Sequence, residues 1–350
     1  MATHTEAIIE GQFLRDILDQ PRALTATLEG LDIPKELTGL ARRLQQGEIK
    51  RVVLTGMGAS FHALYPTFLR LNAFGYTAYA VETSELVHSL NCLLTPDTLI
   101  IAVSQSGESG EVVRLLEDNR GRAAVVAVTN AADSSLGLHS TVSLVTMAGP
   151  EFSVSCKTYV TALMTLHLVT HILCGCDITL AREELSQVIP AVASYLGEWR
   201  AHAHEIAGKL GTIRNLFVLG RGPSLAATGA GALIIKESVR LHAEGMSAAA
   251  FRHGPLELVD AQTCAIVFAG ADTTRALQAR LRDDIRQAGG RAFWISHDAR
   301  PAAWNLPAAP SSVSHILEIL PLQMTTLALA AERGIEAGRF ARIPKVTTTE

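Results

Sequence analysis

The chain has 350 residues, of which 48% are hydrophobic and 18% are charged, and its formal net charge at neutral pH is −4. This length exceeds what one hydrophobic core usually serves, so two domains are expected. The slightly negative charge excludes the basic electrostatic footprint of a nucleic-acid or anionic-membrane partner. The five cysteines lack paired spacing, which predicts reduced thiols. The first residues show neither the basic nor the apolar segment of a signal peptide, so a cytoplasmic protein is expected.

The first half of the chain predicts a helical arm over residues 1–35 and an α/β domain over 36–180. Amphipathic patterns indicate helices in the arm and over 36–50. Apolar strands and helices then alternate, which is typical of βαβ units in a parallel sheet. The predicted strands are 51–55, 77–81, 98–103, 123–128 and 142–146.

The stretch from Thr158 to Cys176 carries no formal charge and predicts a long apolar helix. Its histidines and threonines favour a buried or interface helix over a membrane span. His167 and His171 lie four residues apart, as metal ligands do, but no carboxylate joins them in this pattern. We therefore expect core histidines and no metal site. A polar helical connector follows over 180–209, with an interruption at Pro190.

The strand and helix pattern then restarts, and it forms an internal repeat. Residues 52–60 and 216–224 share two glycines and a serine after an apolar strand, at an offset of 164. Further strands are predicted at 216–219, 265–268 and 292–296. The repeat indicates two similar α/β domains in tandem, the second within 181–335, followed by a tail over 336–350.

The clearest chemical motif is S-Q-S-G-E-S at 104–109, between a strand and the start of a helix. Free amides at a helix N-terminus favour a dianion, and Gly107 allows its close approach. Side-chain donors are offered by Ser104, Gln105, Ser106 and Ser109. An ordinary serine-capped turn is the alternative for this segment. Because no nucleotide-loop lysine is present, a small phosphorylated metabolite is favoured. The second repeat has A-G-A-D-T-T at 269–274 instead, so only the first domain is expected to bind phosphate.

The second domain offers a carboxylate and an imidazole within about twenty residues. Glu237 lies late in a predicted helix that continues to about Glu244, and His253 precedes a Gly-Pro turn. These groups suit proton transfer next to a carbonyl, although surface charge and a structural turn explain the same spacing. The stretch 246–250, rich in small residues, is expected to be flexible.

Motifs in order along nearly the whole chain resemble the tandem SIS (sugar isomerase) family, and specifically the isomerase half of glucosamine-6-phosphate synthase and its stand-alone relatives. The motifs are I-L-D-Q-P-R-A-L (17–24), G-x-G-x-S (56–60), T-S-E-L (83–86), S-Q-S-G-E-S (104–109), A-G-P-E (148–151), L-G-R-G-P-S (219–224), K-E-S-V-R-L-H-A-E (236–244), R-H-G-P-L-E-L-V-D (252–260), P-L-Q (321–323) and K-V-T-T-T-E (345–350).

This resemblance implies two flavodoxin-like αβα domains and a homodimer whose active sites form between subunits. It implies that Ser60 joins the four donors of the 104–109 loop in binding a sugar phosphate. Glu237 would be the base for proton transfer between C1 and C2, and His253, from the neighbouring subunit, would open the ring. Lys345 matches the lysine that forms a Schiff base with the ketose. The resemblance implies no cofactor.

The sequence also departs from the family pattern. We expect no glutaminase domain before the arm. Ile234 replaces a lysine of the family pattern, and Ala59 stands where threonine is usual. The loop at 155–157 and the tail at 336–342 also differ. The expected function is a sugar-phosphate isomerase or deaminase acting on an amino-sugar or amine-conjugated hexose 6-phosphate. Alternatives are a deglycase of a phosphorylated sugar–amino acid conjugate and a non-catalytic sugar-phosphate-binding regulator.

Overall fold

The computed structural model describes residues 8–340, 342 and 345–347. The described chain divides into two compact units. The first-sheet unit contains residues 20–151, 155–187 and the described tail residues 342 and 345–347. The second-sheet unit contains residues 8–19, 152–154 and 188–340. The domain boundaries at 35, 180 and 335 stay a prediction.

The helices and strands have the following bounds. The strands are β1 (Arg51–Gly56), β2 (Ala78–Glu82), β3 (Thr98–Val103), β4 (Ala124–Thr129), β5 (Val142–Val145), β6 (Asn215–Gly220), β7 (Ala243–Ser247), β8 (Thr263–Phe268) and β9 (Arg291–Ile295). The helices are α1 (Gln12–Leu18), α2 (Gln20–Gly30), α3 (Lys35–Gln45), α4 (Gly58–Ala63), α5 (Tyr65–Ala73), α6 (Thr83–His88), α7 (Gly110–Asn119), α8 (Ser135–His139), α9 (Lys157–Leu173), α10 (Ile178–Gly197), α11 (Trp199–Leu210), α12 (Leu225–Val239), α13 (Ala248–Arg252), α14 (Asp272–Gln287) and α15 (Ile319–Glu332). Short 3₁₀ helices lie at Asn91–Leu93, Gly222–Ser224, Pro255–Leu258, Ala302–Trp304 and Ser314–Ile316.

The first-sheet unit is built on a five-stranded parallel sheet in the order β2-β1-β3-β4-β5. This is the flavodoxin-like strand order. All six residues of β3 are buried, which explains why the strand is a continuous apolar run rather than an alternating one. Apolar side chains from β3 and β4 pack with those of α6 and α7 to form a core on one face of the sheet.

The second-sheet unit repeats this topology with four parallel strands in the order β7-β6-β8-β9. Its core joins side chains of β6 and β8 to Phe251 of α13 and to Leu281 and Ile285 of α14. Two parallel α/β domains, predicted from the internal repeat, are thus confirmed.

Helix α9 confirms the prediction of a buried apolar helix, because all of its residues are buried. Within the described residues, no helix is long and apolar enough to cross a membrane. The expectation that no carboxylate accompanies the histidine pair is wrong. Glu184 of α10 lies 3.5 Å from Nε2 of His167, and Nη2 of Arg70 lies 3.0 Å from Nε2 of His171. His167, His171 and Glu184 thus offer three ligand atoms within 4.8 Å of one another, a grouping that could hold a metal ion.

Three local expectations are also wrong. Pro190 does not interrupt the connector, because α10 runs through it and buries Val188 and Val192 on either side. Burial of these side chains offsets the hydrogen bond that the proline removes. The helix carrying Glu237 ends at Val239, where Arg240 adopts left-handed backbone angles. The supposedly flexible stretch 246–250 instead contains the end of β7 and the start of α13.

Candidate functional site

The 104–109 loop connects the carboxyl end of β3 to α7. In the strand order β2-β1-β3-β4-β5, β2 is added on one side of β1 and β3 on the other, so the strand order reverses between β1 and β3. These two strands pair in parallel up to Gly56 and Val103. Open α/β sheets bind ligands in the crevice at such a switch point. Ser60 lies in α4, directly after β1. The loop and Ser60 therefore flank the position at which this fold binds ligands.

Hydrogen bonds within the loop hold it in a tight turn. The amide of Gly107 donates to Oγ of Ser104 at 3.1 Å, and the amide of Glu108 donates to Oγ of Ser106 at 3.2 Å. Gly107 has a φ of +65°, and a Cβ at this position would collide with Oγ of Ser134. The backbone here thus requires glycine, both for its dihedral angle and for its space.

Several hydrogen-bonding groups at the start of α7 already have protein partners. Ser109 is the N-cap residue of α7, and its side chain makes no capping hydrogen bond to the helix. The carboxylate of Glu108, the one acid in the loop, accepts hydrogen bonds from the amide and the hydroxyl of Ser135. The amide of Gly110 donates to the carbonyl of Thr347 at 3.2 Å, so the C-terminal tail contacts the first turn of α7.

A small cavity of about 10 Å³, lined by both polar and apolar side chains, lies beside this loop within the first-sheet unit. Its lining includes Ser60 and Gln105, together with three hydroxyl-bearing residues of the loop before α9 and of α9 itself, namely Ser155, Thr158 and Tyr159. The structure thus brings two of the predicted phosphate-binding residues to one cavity. The altered 155–157 loop contributes to the same wall.

Glu151 links the tail to the start of α9. Its Oε1 accepts hydrogen bonds from the amides of Cys156 and Thr158 at 2.9 and 3.0 Å, and its Oε2 accepts one from the Thr158 hydroxyl at 2.7 Å. A carboxylate there caps the positive end of a long helix. Nζ of Lys345 lies 3.8 Å from Oε2 of Glu151.

Glu151 is therefore a candidate site residue that the sequence reasoning left without a role. It belongs to the A-G-P-E motif at 148–151. The signal that could have identified it is an acidic residue a few positions before a long helix that contains no N-terminal acid of its own.

The second-sheet unit holds the two predicted proton-transfer residues. Glu237 is partly buried on α12, and this burial raises the pKa of its carboxyl to about 7, although Lys236 opposes the shift. His253 follows α13 and is exposed, with its amide donating to the carbonyl of Ala250 at 2.9 Å. Among the residues that the structure describes, no hydrogen bond or ion pair joins Glu237 to His253.

The loop after β6 corresponds in the repeat to the segment that carries Ser60. Its serine is hydrogen-bonded to another residue of the same unit. Ser224, the counterpart of Ser60, is buried and donates to Oε1 of Glu318 at 2.7 Å. Burial raises the pKa of Glu318 to about 8, despite this hydrogen bond. Ile234, which replaces a family lysine, is also buried. In the second-sheet unit, the serine that corresponds to Ser60 therefore makes a buried hydrogen bond within the protein.

Comparison with known proteins gives two matching segments. The SIS domain family matches residues 48–172 and residues 209–333, which together make up most of the chain. The chain belongs to the SIS domain family. Each matched segment contains one of the two parallel sheets. The tandem SIS resemblance noted in the sequence is thus confirmed.

Relatives of this SIS protein include isomerizing glutamine–fructose-6-phosphate aminotransferases. The one from Pyrococcus horikoshii is 31% identical over 351 residues, which cover 96% of this chain and 57% of the relative. The one from Pyrobaculum aerophilum is 31% identical over 349 residues, with the same coverage. The SIS chain therefore spans little more than half the length of these curated relatives.

Solved structures share the fold. The C-terminal domain of glucosamine-fructose-6-phosphate aminotransferase from Francisella tularensis superposes with a TM-score of 0.82 at 21% identity, covering 95% of this chain and 98% of that one. Tagatose-6-phosphate ketose/aldose isomerase from Escherichia coli gives a TM-score of 0.79 at 20% identity, covering 96% and 98%. The two-domain architecture thus agrees with that of known phosphosugar enzymes.

Proposed function

We propose that this SIS protein is an aldose–ketose isomerase of hexose 6-phosphates that releases ammonia or an amine from an amino-sugar or amine-conjugated substrate. The proposal draws on the similarity to the isomerizing portion of the fructose-6-phosphate aminotransferases. The observation that carries it is Glu237, a partly buried carboxyl with a pKa near 7. Such a group takes up and returns a proton at neutral pH.

The substrate phosphate is assigned to the 104–109 loop and Ser60. The hydroxyl of the N-cap residue Ser109, which makes no capping hydrogen bond to the helix, and the positive end of α7 favour a dianion there. The carboxylate of Glu108, the one acid in the loop, accepts its hydrogen bonds from Ser135. A phosphate fixed in this way anchors the sugar by the end opposite to the reacting carbons.

Glu237 then moves a proton between C2 and C1 of the open-chain sugar, after His253 has moved the proton of the ring hydroxyl. In the direction of amine release, an aldosamine 6-phosphate becomes a ketimine. Water adds to C2 of the ketimine, and ammonia leaves to give the ketose 6-phosphate. Proton transfer from C2 to C1 must precede this loss, so in D₂O a deuteron exchanged from solvent at Glu237 is delivered to C1 of the ketose 6-phosphate.

We propose that the neutral amine of Lys345 attacks the ketose carbonyl to form a Schiff base, with the carbonyl oxygen leaving as water. Its contact with Glu151 places the amine in the first-sheet unit, beside the cap of α9. An ammonium is not a nucleophile, so the lysine must lose its proton before attack. Glu151 orients this amine while remaining hydrogen-bonded to α9.

The deciding experiment is turnover of a substrate panel in D₂O. Glucosamine 6-phosphate, fructose 6-phosphate, tagatose 6-phosphate and a phosphorylated fructosyl-amino acid are incubated with the protein. NMR follows deuterium incorporation at C1 and C2, and separate assays detect ammonia and free amino acid. We expect isomer interconversion with exchange. Release of the amino acid alone would indicate a deglycase, and binding without exchange would indicate a regulator.

A further inference from the structure

A cleft unrelated to the residues discussed above lies in the second-sheet unit. It is bordered by α14, by the edge strand β9 and by the segment after β9, and its volume is about 530 Å³. This size is within the range of small-molecule sites. The charged side chains that line it are Arg275, Arg282, Arg286, Arg300 and Asp298.

Three of the four arginines share one face of α14. Positions 275, 279, 282 and 286 follow helical spacing, and the small Ala279 leaves room between the guanidinium groups. Arg275 pairs with Asp298 at 2.6 Å, and Arg282 pairs with Asp283 at 2.7 Å. These two carboxylates do not balance four guanidinium groups, so the cleft has a net positive charge.

The two remaining arginines have no ion-pair partner among the described residues. Arg286 donates to the backbone carbonyl of Ala292 from both Nε and Nη2, at 3.1 and 2.6 Å. Arg300 is exposed. Guanidinium groups that are free of carboxylates, or bonded only to a carbonyl, retain donors for an anion. Arginine in particular binds phosphate oxygens through two parallel hydrogen bonds.

Aromatic side chains from both faces of the edge strand β9 also border the cleft: Trp294 lies on the face that packs against α14, and Phe293, the residue before it, lies on the opposite face. The guanidinium carbons of Arg275 and Arg282 lie 5.6 and 5.1 Å from the ring centre of Trp294, and Phe293 stacks on Trp304 at 5.0 Å. Trp294 and Phe293 are only partly buried. Guanidinium planes and indole rings both stack on flat aromatic ligands.

We propose that this cleft binds a nucleoside diphosphate, with its phosphates on the arginines and its base against the Trp294 and arginine wall. A simple sugar phosphate or pyrophosphate would use only the arginines. The two features together, within one cleft of this volume, favour a ligand that carries both a flat ring and several phosphate charges. The assignment is independent of the proposed isomerase function.

The test is a calorimetric titration of the full chain with ADP, GDP and inorganic pyrophosphate. We expect both nucleotides to bind at least tenfold more tightly than pyrophosphate. Arg300→Gln and Arg282→Gln should each weaken ADP binding about tenfold or more, since each removes a charge-assisted contact. The matched control is Arg280→Gln, which removes the same charge from an exposed position of α14 outside the cleft.

Other results would overturn the proposal. Equal affinity for pyrophosphate and the two nucleotides would indicate an anion site without base recognition, and the absence of binding by both ADP and GDP would exclude nucleoside diphosphates as ligands. If Arg280→Gln weakened ADP binding as much as Arg300→Gln, the binding would be nonspecific electrostatic attraction. Circular dichroism checks that each variant is folded. Ser106→Ala should leave ADP affinity unchanged, which separates this cleft from the proposed sugar-phosphate site.

Discussion

The pKa of Glu237 makes a quantitative prediction for the pH dependence of turnover. A base must be ionised, and a carboxyl with a pKa of about 7 is about one tenth ionised at pH 6 and about nine tenths ionised at pH 8. We therefore expect kcat/KM for isomerisation to rise about tenfold over this range. A carboxyl with its ordinary pKa would be almost fully ionised throughout and would give no such rise.

The neighbouring lysine provides the control. The positive charge of Lys236 lowers the pKa of Glu237 in opposition to burial. Lys236→Met should move the midpoint of the kcat/KM profile to higher pH, whereas Lys236→Arg, which retains the charge, should leave it in place. The substrate phosphate also titrates near pH 6, so the shift between variants is the diagnostic quantity. A kcat/KM profile that is flat between pH 6 and 8, or a midpoint that is the same in Lys236→Met as in the wild type, would refute the assignment of Glu237 as the base.

Four further outcomes are expected. Ser106→Ala should weaken a hexose 6-phosphate about tenfold in calorimetry without affecting an unphosphorylated hexose, and equal losses for both sugars would contradict the phosphate role. Treatment with ketose 6-phosphate and borohydride should attach one reduced sugar phosphate to Lys345, detected by peptide mass spectrometry, and Lys345→Ala should show no such adduct. An unlabelled Lys345 would contradict the Schiff-base role and leave only its ion pair with Glu151. The Glu318 carboxyl ionises near pH 4.5 in the unfolded chain and near 8 in the folded one, so its contribution to stability falls as pH rises between these values. The free energy of unfolding of the wild type relative to Glu318→Gln should therefore drop by about 1.4 kcal/mol per pH unit, measured by urea denaturation from pH 5 to 8, and a constant difference would contradict the burial argument. A homodimer with shared sites should regain activity when Glu237→Gln and His253→Ala subunits are mixed, and an active monomer in light scattering would exclude it.

Most of the fold could be predicted from the sequence because parallel strands buried on both faces are continuous apolar runs. The bounds of β3 agree with the predicted 98–103, since the apolar run ends sharply at Ser104. β7 was missed because A-E-G-M-S lacks the β-branched residues that mark strands. Its strand geometry depends on pairing with β6, in which Ala243 aligns with Leu216.

The candidate site was only partly accessible to sequence reasoning. The 104–109 loop could be recognised because a strand, a glycine and a helix start are adjacent in sequence. The contacts of Glu151 with Lys345, and of Glu184 with His167, join residues that are distant in sequence or unmarked by spacing. The roles given to Glu237, His253 and Lys345 stay predictions.

The contact between Gly110 and Thr347 has a thermodynamic consequence. The first amide of α7 is one of the few donors that a bound anion could recruit there, and it is already used by the tail. The same tail carries Lys345, beside Glu151. An anion bound to the loop as proposed would therefore be linked to docking of the tail, and the linkage would be reciprocal. If a bound phosphate changes the free energy of tail docking by a given amount, the docked tail changes the free energy of phosphate binding by the same amount.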